Sequence, residues 1–237
     1  MQQNWERLAG GVHRCRLDFL DVTVGVVVGS AGTVVIDCGT TLAEATSVAD
    51  DIGTGLGGGP VTHLVLTHDH FDHIMGASVF AAARVYCAPE VAATLTSGAD
   101  RLRAEAIGYG AAPGPVDATL AALRAPADPA TGGVIDIGDR TVEVLWPGRG
   151  HTDHDLIVVV APRDADDPVV VFCGDLVEES GDPAVGPDSD VARWPATLDR
   201  VLAVGGPTAR YVPGHGAVVD ADFVARQRDW LATTNRC

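Results

Sequence analysis

Lysine is absent from this chain of 237 residues, and all 16 basic side chains are arginine. Without a lysine amine, the chain cannot form a lysine Schiff base with a carbonyl substrate, and it cannot complete a P-loop. The glycine-rich run GTGLGGGP at residues 53–60 is therefore predicted to be a flexible connection. The missing lysine thus excludes two common kinds of enzyme site.

Positive charge of any kind is scarce. The chain has 32 acidic residues against 16 basic ones, which leaves a net charge of −16. Binding to nucleic acid depends on basic side chains that neutralise phosphates, so we expect no nucleic acid partner. No sequence pattern indicates an oligomeric state.

Long apolar runs and paired cysteines are also missing. The longest candidate, VTVGVVVGSAGTVVIDCG at residues 22–39, is interrupted by small residues and predicts two strands, so we expect no membrane span. The N-terminal MQQNWERLAGG has no basic segment followed by an apolar one, so no secretory signal is expected. The five cysteines form no CxxC pair, which argues against a disulfide framework. Together these features predict a cytoplasmic protein.

Patterns typical of β-strands occur in both halves of the chain, and helical patterns follow them. Strands are predicted at GVHRCRLDFL, VTVGVVVG, TVVIDCG, VTHLVLT and RVYCA, and again at VIDIG, TVEVLWPG, DLIVVVA, PVVVFCGD and ARYVPG. Helices are predicted at TTLAEATSVADDIG, about residues 71–83, about residues 89–108, ARWPATLDRVLAV and ADFVARQRDWLATT. The first helix has Thr40 or Thr41 as its N-cap and Glu44 in the capping-box position. The order predicts a single α/β (α+β) domain over residues 1–237, built of two β-rich halves covered by helices.

One motif, LVLTHDHFDH at residues 64–73, concentrates metal-ligand side chains directly after an apolar strand. In an extended loop His68 and His70 point the same way and can share one metal, whereas Asp72 and His73 begin a helix and can serve a second. Random placement at this composition would produce HxHxDH in about one chain in a thousand. A metal site is therefore a better explanation than a solvated polar loop.

Further ligands are predicted where other strands end. His151 in GHTDHD lies between two predicted strands, Asp175 in FCGD directly follows a strand, and His215 in PGHG lies on a turn after another. Five of the eight histidines would thus lie at strand ends, which is typical of a functional site.

The ordered series THDHFDH, GHT, FCGD and PGHG resembles the metallo-β-lactamase-fold hydrolase superfamily. The resemblance implies an αββα sandwich of two mixed β-sheets with a dinuclear metal site at one edge, holding two Zn²⁺ ions, with iron or manganese as the other metals to consider. It implies His68, His70 and His151 on the first metal, and Asp72, His73 and His215 on the second, with Asp175 between them. Asp37 in TVVIDCG matches a residue that supports the histidine loop.

This resemblance predicts hydrolysis of an acyl bond in a small-molecule thioester, ester or lactone, with Asp72 orienting the attacking water and relaying its proton. An aspartate at position 175 is similar to the glyoxalase II and lactonase branches, whereas true β-lactamases usually have cysteine or serine there. Only 22 residues follow His215, so we expect no C-terminal domain of the glyoxalase II kind. Residues 89–133 are predicted to form a cap over the site.

Two alternatives stay open. A persulfide dioxygenase would use one iron at His70, His151 and Asp175, and β-lactam hydrolysis would be weak or secondary.

Several neighbouring residues have no decisive pattern: His154 and Arg149 are expected near the site or on the surface, Trp146 and Trp194 in aromatic packing, Cys173 in the core, and Asp69 and Phe71 as spacers.

Overall fold

The first half of the chain forms one mixed β-sheet. The computed structural model describes residues 3–234. Six strands pair in chain order, with β4, β5 and β6 parallel and the others antiparallel. Their bounds are β1 Glu6–Ala9, β2 Val12–Arg16, β3 Thr23–Val28, β4 Thr33–Ile36, β5 Val61–Val65 and β6 Arg84–Tyr86.

The second half forms a five-stranded sheet in the order β11-β10-β9-β8-β7, in which only β10 and β11 are parallel. Its strands are β7 Gly133–Asp136, β8 Thr141–Leu145, β9 Ile157–Val160, β10 Val170–Glu178 and β11 Arg210–His215. This second set of strands places Asp175 and His215 on neighbouring strands.

Helices cover the outer faces of both sheets. Their bounds are α1 Leu42–Thr54, α2 Phe71–Ile74, α3 Pro89–Ser97, α4 Ala99–Gly108, α5 Pro113–Ala122, α6 Trp194–Gly205 and α7 Ala221–Thr234, with a 3₁₀ helix at Met75–Phe80. None of the helices within residues 3–234 is long and apolar enough to cross a membrane.

The apolar side chains form three layers. One lies between the first sheet and helices α1 to α5, a second lies between the two sheets, and a third lies between the second sheet and helices α6 and α7. On β3, for example, Val24 and Val26 face the first layer and Val27 faces the second, as the two-residue period of a strand requires. The prediction of two mixed sheets flanked by helices is confirmed.

The predicted elements are mostly present, with local differences. Helix α1 has the predicted capping box, with Thr41 as N-cap and Glu44 bonding back to it. The predicted helix at residues 71–83 is instead one α-helical turn followed by a 3₁₀ helix, and the one at residues 89–108 is broken at Gly98. Helix α5 lies in the segment where no regular element was predicted. Its Pro113 occupies the first turn, where the missing N–H costs nothing.

Candidate metal centre

The histidine loop is anchored to the end of the neighbouring parallel strand through Asp37. This residue directly follows β4 and adopts a left-handed backbone conformation with φ 57°, which aspartate tolerates better than most residues. Its carboxylate accepts hydrogen bonds from the backbone N–H of Thr67 at 2.8 Å and from the Thr67 hydroxyl at 2.9 Å. Because Asp37 is buried, these bonds hold the start of the loop rigidly against the sheet edge.

Asp37 also orients two of the predicted ligands. The Nδ1 atom of His73 donates to Asp37 Oδ2 at 2.8 Å, and Nδ1 of His68 lies 3.0 Å from the Thr67 hydroxyl, which itself donates to Asp37. Both imidazoles therefore direct Nε2 away from this network. Tethering one ring nitrogen to an oxygen selects the tautomer and the ring direction that a metal ligand needs.

The first group of predicted ligands converges around one point. His68, His70, His151 and Asp175 place one ligand atom each within 4.8 Å of one another. Asp175 Oδ2 lies 3.6 Å from His68 Nε2 and 3.5 Å from His151 Nε2. His151 Nε2 is also 3.0 Å from His70 Nδ1. The inward-facing atom of His70 is thus Nδ1, whereas the other two rings use Nε2.

A second group converges beside the first. Asp72, His73 and His215 place their ligand atoms within 4.8 Å of one another. His73 Nε2 lies 3.3 Å from His215 Nε2, and Asp72 Oδ2 lies 3.5 Å from the same His215 atom. The structure therefore brings together all seven residues that the sequence predicts as ligands.

Asp175 lies between the two groups. Besides its contacts with the first group, it has Oδ1 3.2 Å from His73 Nε2 and Oδ2 3.4 Å from His215 Nε2. The prediction that Asp175 directly follows its strand is wrong, because β10 continues to Glu178. Gly174, in the left-handed region at φ 51°, pairs with Pro213, and the register with β11 shifts on either side of it. This irregularity lets the carboxylate turn towards the site in mid-strand.

Backbone carbonyls hold the imidazoles of His151 and His215. His151 Nδ1 donates to the Ala184 carbonyl at 3.1 Å, and His215 Nδ1 donates to the Leu20 carbonyl at 2.7 Å. Both Nε2 atoms are thereby directed towards Asp175. Two loops that are distant in sequence, one after β2 and one after β10, thus complete the orientation of the site.

The chemistry of the cluster fits metal binding. Among the described residues, His68 Nε2 and Asp175 Oδ1 are buried without a hydrogen-bond partner, an arrangement that costs free energy unless another group satisfies it. A divalent cation would satisfy both. Imidazole and carboxylate donors suit zinc, iron or manganese, and each ligand group offers three or four of them.

The charges within the cluster act on each other strongly. Burial disfavours the charged form of His73, but the carboxylates of Asp175, Asp72 and Asp37 outweigh it and raise its pKa well above the usual value. Burial likewise acts against ionised Asp175, yet the nearby His73, His215 and His68 lower its pKa well below the usual value. Asp175 is therefore held as a carboxylate, the form in which it can bind a metal.

Asp188 is a functional candidate that sequence reasoning missed. Its Oδ2 accepts a hydrogen bond from His70 Nε2 at 3.3 Å, and this contact leaves His70 Nδ1 facing the cluster. The hydrogen bond from His70 lowers the pKa of the Asp188 carboxyl. This effect outweighs that of burial, which acts in the opposite direction. The residue lies 118 positions from His70 in an exposed loop, so no motif spacing could have identified it.

Replacing Asp188 with asparagine is expected to weaken metal binding or turnover by about ten- to a hundredfold, because His70 loses a charged partner that orients it. Asp182→Asn, which removes an exposed carboxylate from the same loop, is the matched control. Metal affinity measured by competition with a chelator, together with kcat, tests the expectation. Equal values for the two variants would show that Asp188 does not position His70.

Asp69 is not the spacer that the sequence suggested. It is buried, accepts a hydrogen bond from Thr94 Oγ1 at 2.7 Å, and forms an ion pair with Arg101. These contacts join the histidine loop to helices α3 and α4. Phe71 is buried as well, and its ring lies 5.6 Å from that of Tyr109 at the end of α4. Both supposed spacers therefore attach the loop to the helices above it.

His154 is buried beside the loop, with Nε2 3.3 Å from Asp69 Oδ1 and Nδ1 3.0 Å from Asp153 Oδ1. Burial opposes its charged form, but these two carboxylates raise its pKa to about 9. Arg149 instead forms an exposed ion pair with Asp153 at 3.0 Å and lies near Asp190. His154 therefore belongs to the surroundings of the site, whereas Arg149 belongs to the surface.

The two tryptophans differ in environment. Trp194 is fully buried, donates from Nε1 to the Leu176 carbonyl at 3.0 Å, and packs its ring 5.8 Å from that of His151. Trp146 is 56% exposed and donates to the Asp153 carbonyl at 3.3 Å. Cys173 is buried in the core, as predicted. Of the two tryptophans, only Trp194 packs against one of the predicted ligands.

A cavity of about 890 Å³ opens directly above the cluster. This volume is within the range of small-molecule sites. Its lining includes five of the seven predicted ligands, residues from helices α3 and α4, and the loop after β10. Within the segment predicted as a cap, residues 90–109 supply lining side chains, and helix α5 packs behind them.

Comparisons with known proteins agree with this fold. The model of the metallo-beta-lactamase superfamily matches residues 17–215. A type 2 metallo-beta-lactamase from Bacillus cereus is 32% identical over 99 residues, a match that covers 41% of this chain and 37% of that protein. VMB-1 has a similar fold, with a TM-score of 0.72, 18% identity and coverage of 100% of this chain and 99% of its own. A metallo-beta-lactamase from Pontibacter korlensis has a TM-score of 0.68 and 22% identity over 97% of this chain and 99% of its own. This chain belongs to the metallo-beta-lactamase superfamily.

Proposed function

We propose that this protein is a dinuclear zinc hydrolase that cleaves an acyl bond in a small-molecule thioester, ester or lactone. The observation that carries the proposal is the convergence of two ligand groups on Asp175 at the floor of a cavity large enough for such a substrate. Family membership supports metal-dependent hydrolysis, and the bridging carboxylate supports the choice of two ions.

His68, His70 and His151 would hold one ion, Asp72, His73 and His215 the other, and Asp175 would contact both. Zinc bound there would supply Lewis-acid chemistry, which lowers the pKa of a bound water from about 15.7 towards about 7 and polarises an acyl carbonyl. Asp72 lines the cavity, so its carboxylate can orient the attacking water and accept its proton. The same carboxyl can then return the proton to the leaving thiol or alcohol.

Two other activities can be separated from this one by experiment. The relative from Bacillus cereus is a metallo-beta-lactamase, which supports β-lactam hydrolysis as a candidate. A mononuclear iron persulfide dioxygenase would need only His70, His151 and Asp175, which the structure also brings together.

The decisive experiment combines elemental analysis of the purified protein with assays on a thioester, a lactone, a cephalosporin and a persulfide. We expect two zinc ions per chain and turnover of the thioester or lactone. One iron with oxygen uptake on persulfide would contradict the proposal, and so would turnover restricted to the cephalosporin.

The role of Asp72 has its own test. Asp72→Ala is expected to lower kcat by at least about a hundredfold, the scale of general acid–base catalysis, while the circular dichroism spectrum is unchanged. Asp50→Ala on the exposed face of helix α1 is the control. Full activity in Asp72→Ala would contradict the assignment.

A further inference from the structure

The cavity wall is rich in carboxylates beyond those of the metal ligands. One guanidinium, that of Arg101, lines it within residues 3–234. Against this single arginine, six acidic residues line the wall besides Asp72 and Asp175, namely Asp69, Glu90, Glu105, Asp153, Glu178 and Asp188. This imbalance distinguishes the wall from a site that would bind a substrate carboxylate.

The guanidinium of Arg101 and the imidazole of His154 already contact carboxylates of the wall. Arg101 is paired with Asp69, contacts Glu105 at 3.3 Å, and donates to the Thr94 hydroxyl at 3.0 Å. The imidazole of His154 lies between two carboxylates, those of Asp69 and Asp153. Any positive charge on these groups is therefore compensated within the wall.

One carboxylate of the wall faces no cation. Glu90, exposed in the first turn of α3, has no hydrogen-bond or ion-pair partner within the described part of the chain. Glu178 differs, because its carboxylate accepts hydrogen bonds from Ser180 and lies within 4.8 Å of the ligand atoms of Asp175 and His215. The negative charge of Glu90 is thus available to a ligand.

Apolar and aromatic groups lie beside the carboxylates. Tyr109 is 67% exposed and its ring packs on that of Phe71, while Val185 on the loop after β10 is 56% exposed. All three line the cavity. Aromatic faces attract cations, most strongly where carboxylates add to the field.

From this wall we propose that the substrate carries a positively charged ammonium group, attached through apolar carbons to the acyl bond that is cleaved. This inference rests on the proposed function for the bond that breaks. The reacting carbonyl would lie at the floor beside Asp72 and Asp175, and the ammonium group would lie near Glu90 and Tyr109. A substrate with a carboxylate in that position would meet repulsion instead.

Three matched phenyl esters test the preference in the zinc-loaded enzyme. Their acyl groups are 4-(trimethylammonio)butyrate, its neutral isostere 5,5-dimethylhexanoate, and the anionic glutarate monoester. We expect kcat/KM to fall in that order, with the cation at least about tenfold above the anion at low ionic strength and less in high salt. Equal or better turnover of the anionic ester would overturn the proposal.

Matched variants identify the responsible side chain. Glu90→Gln is expected to lower the cation-to-neutral ratio of kcat/KM about two- to fivefold. Glu143→Gln removes an exposed carboxylate on β8, away from the cavity, and should leave the ratio as it was. An unchanged ratio in Glu90→Gln would contradict the role given to Glu90.

Binding without turnover separates this inference from the proposed function. Saturation-transfer NMR would compare choline with 3,3-dimethylbutan-1-ol, its neutral isostere, on the protein with and without added zinc. We expect preferential binding of choline that weakens in Glu90→Gln. Choline preference without hydrolysis of any ester would contradict only the proposed function, whereas hydrolysis without choline preference would contradict the charge preference.

Discussion

Asp175→Ala is expected to lower kcat/KM by at least about a thousandfold and to reduce bound zinc from two ions per chain to one or fewer. The carboxylate contacts both ligand groups, with oxygens 3.2 to 3.6 Å from four imidazoles. In the proposed dinuclear site its removal would deprive both ions of a ligand, and metal catalysis is worth several kcal/mol of transition-state stabilisation. Elemental analysis and steady-state kinetics measure the two effects.

The fold should survive this change, because the three apolar layers contain no part of the Asp175 side chain. Asp166→Ala, at an exposed loop position, is the control for removal of an aspartate. Retention of two zinc ions in Asp175→Ala would show that the carboxylate does not connect the sites. Loss of the folded circular dichroism signal would show instead that the residue is needed for folding.

Gly214→Ala is expected to lower kcat/KM by about a hundredfold or more, although it replaces none of the predicted ligands. A Cβ atom at this position would lie 1.8 Å from Asp175 Oδ1 and 3.0 Å from its Cγ. Gly214 lies on β11, which pairs with β10, so the backbone has little freedom to retreat and the carboxylate must move. Misplacement of a reacting group by about 1 Å can cost a hundredfold in rate.

Gly59→Ala is the matched control, because a Cβ atom there would meet nothing within 4 Å. We expect that variant to have normal activity. Zinc content in Gly214→Ala should fall together with activity, since the displaced carboxylate is a ligand in the proposed site. Normal zinc content and normal turnover would mean that the site tolerates movement of Asp175.

The ligand set was predictable because local geometry determines most of it. The short spacing in HDHFDH, after an apolar strand and before a helix, restricts four side chains to one loop end in any fold that buries that strand. The positions of His151 and His215 followed from the ends of other strands. Asp175 faces the other predicted ligands although its strand continues past it, because the register between β10 and β11 shifts around Gly174, where the prediction placed an end.

Short sequence spacings do not predict contacts between segments that are distant in the chain. The residues whose roles the sequence did not predict make contacts of this type. Asp188 reaches His70 across 118 positions, and Asp69 meets Arg101 across 32. Neither contact leaves a periodic pattern, because loop paths depend on the packing of whole elements. The change to a 3₁₀ helix after Ile74 and the break at Gly98 were missed for a related reason, because tertiary contacts decide the geometry of short helical segments more than propensity does.

By itself, the sequence determined the composition of the two sheets, the class of chemistry and the seven residues available to hold metal. These depend on residue types and short spacings, which the chain carries directly. Only the tertiary structure decided which nitrogen of each histidine faces the centre, that Asp188 orients His70, and that the cavity wall is acidic and partly aromatic. Those properties arise where helices α3 and α4 lie beside the loop after β10. The packing of the whole domain determines how these elements are placed relative to one another.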